Sequence, residues 1–222
     1  GNDAARRIDA VTRASAAAAV QSGGMTIDVI MDDRLLQRLA MQKGKPLGPI
    51  VPMGRAREKF RECARLILPA ADSGSKAERL REALSSFGAH INKAAPMQVG
   101  IAAGIHTLLM LAALFDELEC ARVLIAAGAR AKTEDSCCVS MALGPQALVP
   151  GYHEPPHFDM AKLLIEEAEG LLDMTNSIDD GSMLATYAQN GDAGLVRFLL
   201  DHRADVNVVM TRDAQEFVTP LP

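Results

Sequence analysis

His153-Glu154-Pro155-Pro156-His157 is the stretch of this chain whose residue types match a catalytic spacing, the H-E-x-x-H of zinc proteases. That chemistry needs both imidazoles on one helical face, at i and i+4. Two adjacent prolines inside the motif preclude such a helix, so the segment reads as a loop offering at most a fortuitous metal contact. The neighbouring Cys137-Cys138 pair has no C-x-x-C partner and reads as a buried turn leading into a helix. Cys63 and Cys120 fall on helical patterns as small core residues, and all four thiols are expected reduced. Asp179-Asp180-Gly181, beside Asn176 and Ser177, lacks the alternate spacing and closing Glu of a calcium loop. It reads as a turn before a helix capped by Ser182. No phosphate-cradling glycine motif occurs, and no Ser/His/Asp or Cys/His set can be assembled. His106 is expected to face a turn and His202 solvent, and the eleven methionines read as core filler. The expectation is a protein with no catalytic residues, no cofactor and no metal site.

Any function must therefore come from the elements themselves. The 222 residues are 49% hydrophobic and 23% charged, ordinary for a folded domain, with a net charge of -5. That balance argues against a nucleic-acid surface or an anionic membrane as partner. Apolar runs fall short of the roughly 18 residues a membrane span requires, and no secretory segment is evident. An intracellular, cytoplasmic protein is expected.

Residues 104–132 are the best-organised stretch. Thr107 caps a short apolar helix carrying Leu108, Leu111 and Ala112. After Phe115-Asp116-Glu117 a second helical pattern places Leu118, Ala121, Val123, Leu124 and Ile125 inward, and Gly128 ends it. Helices this brief are marginal alone, so they need neighbours of the same kind. Upstream, Ile8 and Val11 lie in a candidate helix over residues 1–24, and Met25 to Gln42 gives a second. Lys43 to Gly54 holds three prolines and three glycines and must be a loop. Arg55 to Ala70 is a strongly amphipathic helix with Phe60, Cys63, Ala64, Ile67 and Leu68 apolar and Arg57, Glu58, Arg61 and Arg65 polar. Lys76 to Phe87 is its partner.

Ser182-Met183-Leu184-Ala185-Thr186-Tyr187-Ala188 sits in phase with Thr107 to Ala113, and Ala193 to Leu200 with Leu118 to Ile125. A divergent third copy lies between them: Ser140 to Leu143 starts its first helix and Phe158 to Ile165 makes its second. The two are split by Gly144 to His157, whose four prolines force a loop. In the first half, Glu62-Cys63-Ala64-Arg65 and Glu119-Cys120-Ala121-Arg122 are identical. Alignment through Gly88-Ala89 and Gly128-Ala129 nevertheless needs the smaller insertion.

The pattern of capping residue, apolar pair, two small residues, short turn, second helix and Gly-Ala-Asp-Val-Asn ending resembles the ankyrin repeat, whose period is about 33 residues. Asp192 to Asn207 carries the nearest match. The resemblance spans 104–209 well and 55–93 loosely. Leu108 and Met183 stand where that family has Pro, and Arg203 where it has Gly. It implies an all-α fold, an ankyrin-type solenoid of stacked helix-turn-helix repeats with an irregular N-terminal helical cap. The divisions would be 1–54 (cap and Pro/Gly-rich loop), 55–209 (repeats 55–93, 104–135, 136–175 and 176–209) and 210–222. Thr219-Pro220-Leu221 is either the start of a further repeat or a Pro-rich tail.

Such arrays bind other proteins along a concave face. The resemblance therefore implies a non-enzymatic scaffold for a protein partner. It places Leu114, Phe115, Asp116, Gln189 and Asn190 on that face, extended by Thr133, Glu134, Asp135, Ile178 and Asp179, with Tyr152 and His153 on the 144–157 loop. Phe115 would be an interface anchor or a plug between repeats. Gly in place of Met at residue 1 raises the alternative of a targeting module trimmed from a larger enzyme or secreted effector.

Overall fold

The structure, a computed structural model, describes residues 27–29, 49–68, 75–99, 102–132, 138–144, 156–167 and 182–207. The chain is mostly helical, with eight α-helices and three strands among these residues. In chain order they are β1 (Ile27–Val29), α1 (Arg55–Ile67), α2 (Lys76–Leu84), β2 (Ala95–Val99), β3 (Ala102–His106), α3 (Leu108–Leu114), α4 (Leu118–Ala126), α5 (Cys138–Leu143), α6 (Phe158–Glu167), α7 (Met183–Gln189) and α8 (Ala193–Asp201).

The sheet corrects the all-α expectation. Its order is β1-β2-β3, antiparallel throughout, with Ala95 opposite His106 and Ile27 opposite Val99. Ile27–Val29 therefore lies in a strand rather than in the helix expected over Met25 to Gln42; the rest of that stretch, and residues 1–24, lie outside the described residues. The strands hold no run long enough to display an alternation signal, and Pro96 in β2 argues against a central strand from sequence alone. Val29, Ala95 and Met97 point to the helices and are buried. The end of the Pro/Gly-rich loop is extended as well: Val51 N donates to Ala94 O at 2.8 Å and Ala94 N to Pro49 O at 2.9 Å.

The apolar stripe of α1 is buried as its spacing predicts, through Phe60, Cys63, Ala64 and Ile67. Arg57, expected on its polar face, is buried too, and its guanidinium donates to Val51 O at 2.9 Å. That bond is one of the partners a buried cation requires. Helix α1 packs on α2 and α3, α2 on α4, and α3 on α4 and α5, while α5 pairs with α6 and α7 with α8. The identical Glu-Cys-Ala-Arg segments thus sit on helices that do not pair in this way, and both cysteines are simply core. Gly88 opens a 3-10 turn rather than taking the left-handed conformation of Gly128, whose φ is 92°. The two Gly-Ala segments share letters, not conformation. Asn92 joins the two endings nevertheless: its amide donates to Gly128 O at 2.9 Å and its carbonyl accepts from Arg130 N at 2.8 Å.

Candidate protein-binding surface

Two helix-turn-helix units repeat one another bond for bond at a spacing of 75 positions. Thr107 Oγ1 accepts from Met110 N and Ser182 Oγ from Ala185 N, each at 3.2 Å, which fixes the start of α3 and of α7. Glu117 N donates to Ala112 O, and Asp192 N to Tyr187 O, each at 3.0 Å. The residue before each is left-handed, Asp116 at φ 54° and Gly191 at φ 76°. Both second helices close through a left-handed residue, Gly128 and Arg203, the latter at φ 67°. Ala129 N then reaches Leu124 O at 2.9 Å and Ala204 N reaches Leu199 O at 3.0 Å.

The middle unit keeps the bonds at the start of its second helix, across a longer connection. His157 N donates to Ala142 O at 2.9 Å and His157 O accepts from Ala161 N at 2.9 Å. His157 thus takes the place of Glu117 and Asp192 at the start of the second helix. Its first helix begins at Cys138, two residues earlier than the expected Ser140.

The inter-helix turns carry the exposed polar residues. Asp116, Gln189 and Asn190 are exposed. Leu114 and Phe115 are not: they are 2% and 6% accessible and belong to the core. Phe115 is therefore part of the core and not of the exposed surface. Thr133, Glu134, Asp135, Tyr152, His153, Ile178 and Asp179 lie outside the described residues, as do Cys137, the Asp179-Asp180-Gly181 turn and the tail. The turn at 115–117 is held from both sides. Lys76 Nζ contacts Glu117 Oε1 at 2.6 Å, with both side chains mostly buried. His157 Nδ1 lies 3.8 Å from Asp116 Oδ2. In the sequence His157 stands in the failed zinc motif and at the end of the Pro-rich loop; its match in chain position to Glu117 and Asp192 was the available signal.

Among the described residues no group of three His, Cys, Asp or Glu side chains is placed to hold a metal. Cys63, Cys120 and Cys138 are buried free thiols, and burial pushes Cys63 and Cys120 up to about 11. Neither supplies a thiolate near neutral pH. His106 ends β3 instead of facing a turn, with its ring over Gly104, and burial pushes its imidazole down to about 4. His202 is half-buried rather than solvent-facing: its Nδ1 is 2.8 Å from Phe198 O and its ring stacks on Phe198 at 4.3 Å. Among the described residues no helix is long and apolar enough to cross a membrane.

Comparison with protein-family models, with curated proteins and with solved structures finds no match to this chain. The ankyrin resemblance accordingly rests on the residues quoted for it.

Proposed function

We propose that this chain is a non-enzymatic scaffold of irregular ankyrin-type units. It binds a partner protein through the surface carrying Asp116, Gln189 and Asn190, together with the 144–157 loop. The observation that carries this reading is the bond-for-bond equivalence of the units at 107–129 and 182–204. A backbone repeated so closely, with turn residues that differ, holds variable side chains at fixed positions on a rigid support. Asp116 and Glu117 stand where Gly191 and Asp192 stand, and buried Leu114 where exposed Gln189 stands. The departures from a regular array also have positions: the β2-β3 hairpin between the first two helix pairs, and the long connection between α5 and α6.

Affinity capture followed by crosslinking tests this reading. The double variant Gln189→Ala/Asn190→Ala and a replacement of residues 146–154 by a short Gly/Ser linker should each lose partners that the unaltered chain retains, with the circular dichroism spectrum unchanged. Capture of the same partners by both variants would refute the site.

A further inference from the structure

The sheet has two edges, and the chain treats them differently. Edge strand β1 is blunted: it has three residues, its centre is Asp28, and the Val29 carbonyl accepts from Arg61 at 2.8 Å. Short length, charge and a covering side chain are the usual defences of an edge. Among the described residues edge strand β3 has none of them. Its five residues, Ala102-Ala103-Gly104-Ile105-His106, contain no Pro, Lys or carboxylate, and all five pair with β2 without a bulge.

The register says which groups face outward from β3. Two residues separate the facing pair Val99 and Ala102, and such a closing pair exchanges hydrogen bonds. Alternation makes Met97 with Gly104 and Ala95 with His106 the other bonded pairs. Pro96, which has no N–H to give, then falls at a position that needs none toward β3. The N–H and C=O groups of Ala103 and Ile105 consequently point away from β2. Among the described residues their sheet has three strands, and no hydrogen bond to either residue comes from outside it. Gly104, Ile105 and His106 keep some exposure although each is mostly buried.

Alternating donors and acceptors at the strand repeat are complementary in partial charge to one thing, another extended backbone. We infer that β3 pairs edge to edge with β3 of a second copy of this chain, antiparallel about a two-fold axis at Gly104. The strand is self-complementary about that point. Ala103 faces Ile105 of the second copy and exchanges both bonds with it, the reverse pair does the same, and the two Gly104 residues meet on the axis. Theirs is the non-bonded kind of pair, in which Cα atoms approach to about 4.5 Å and a side chain would crowd most. His106 falls opposite Ala102, but each imidazole lies over its own Gly104, so the two rings approach across the axis; uncharged near neutral pH, they do not repel. The pairing continues a three-stranded sheet into one of six strands and is independent of the scaffold reading.

A single strand pair is smaller than the interface of a stable complex, so the dimer should populate at concentrations of about 0.1–1 mM. Sedimentation of the full chain over a series reaching that range should show the weight-average mass rising from one chain toward two. Amide exchange at Ala103 and Ile105 should slow in parallel. Ile105→Pro and Ala103→Pro remove an outward N–H without touching the β2 ladder and should hold the chain at the mass of one copy with unchanged circular dichroism. One-copy mass throughout, including the case in which the edge serves an extended peptide of another protein, overturns the inference. So does a dimer in which both amides still exchange freely, or one that survives both substitutions. Should the proline variants fail to fold, the exchange measurement on the unaltered chain decides alone.

Discussion

The units at 107–129 and 182–204 have the same backbone and different surroundings. In α3 every residue from Leu108 to Leu114 is buried, whereas α7 buries only Met183 and Tyr187. Leu109 is 1% accessible while its counterpart Leu184 is half-buried, and fully buried Ala113 answers to exposed Ala188. The cause is position. Helix α3 has α1 on one flank and α5 on the other. Helices α7 and α8 meet the middle unit through Phe158 against Phe198, at 4.9 Å, and through Tyr187 beside Gly144. Local sequence sets the shape of such a unit, through its caps and left-handed turns. Neighbours set how much of it is core.

The largest test of that contrast is truncation at matched positions. Leu109→Ala should destabilise the fold by about 3 kcal/mol, because a fully packed site cannot collapse around the cavity. Leu184→Ala should cost under about 1 kcal/mol. Urea unfolding of the two variants measures the difference, and equal losses would show that the second unit is as enclosed as the first.

Capping tests the sameness instead. Thr107→Ala and Ser182→Ala each remove one side-chain acceptor with the same 3.2 Å geometry and should each cost about 1 kcal/mol. A clear inequality would mean that burial, not the bond, sets the value. The left-handed closures come next. Gly128 is suited to its position and Arg203 is not, so Arg203→Gly should raise stability by up to about 1 kcal/mol, and Gly128→Ala should lower it similarly. Thermal unfolding would report opposite shifts.

The last and most gradual test is pH. His106 precedes the cap of the first unit, where the second has Gly181. Burial holds its imidazole at about 4 against an ordinary 6.5, so between those values the unfolded chain binds the extra proton. His106 should therefore leave stability unaffected above pH 6.5, reduce it progressively as pH falls toward 4, and add no further loss below. The urea midpoint of His106→Gln should lack that part of the slope.

Much of the fold could be read in the chain. The stripe Phe60, Cys63, Ala64, Ile67 recurs at the helical period and is buried as that spacing predicts. Thr107 and Ser182 are cap residues of the preferred types, and both serve as caps. The likeness of the two units was visible in letters and holds in hydrogen bonds. The strands were not visible: three to five residues, one of them Pro, show no period, and their pairing joins Ile27 to Val99 across the intervening helices. Contacts that far apart in sequence leave no local trace.

The candidate surface divides in the same way. Sequence placed Leu114, Phe115 and Asp116 together because they are consecutive after a helix. The left-handed turn at Asp116 leaves that side chain exposed and Leu114 and Phe115 in the core. Arg57 reads as surface by type and is core, with one guanidinium N–H given to the Val51 carbonyl that the bridge to Ala94 brings alongside. What the sequence by itself determined is where each helix starts, which stripe it buries and where the backbone must turn, since caps, periodicity and glycines act within a few residues. Which units become fully enclosed, which side chains stay exposed, and that β3 ends the sheet among the described residues were decided by tertiary structure. Those properties depend on what packs alongside, and only the folded chain brings those groups together.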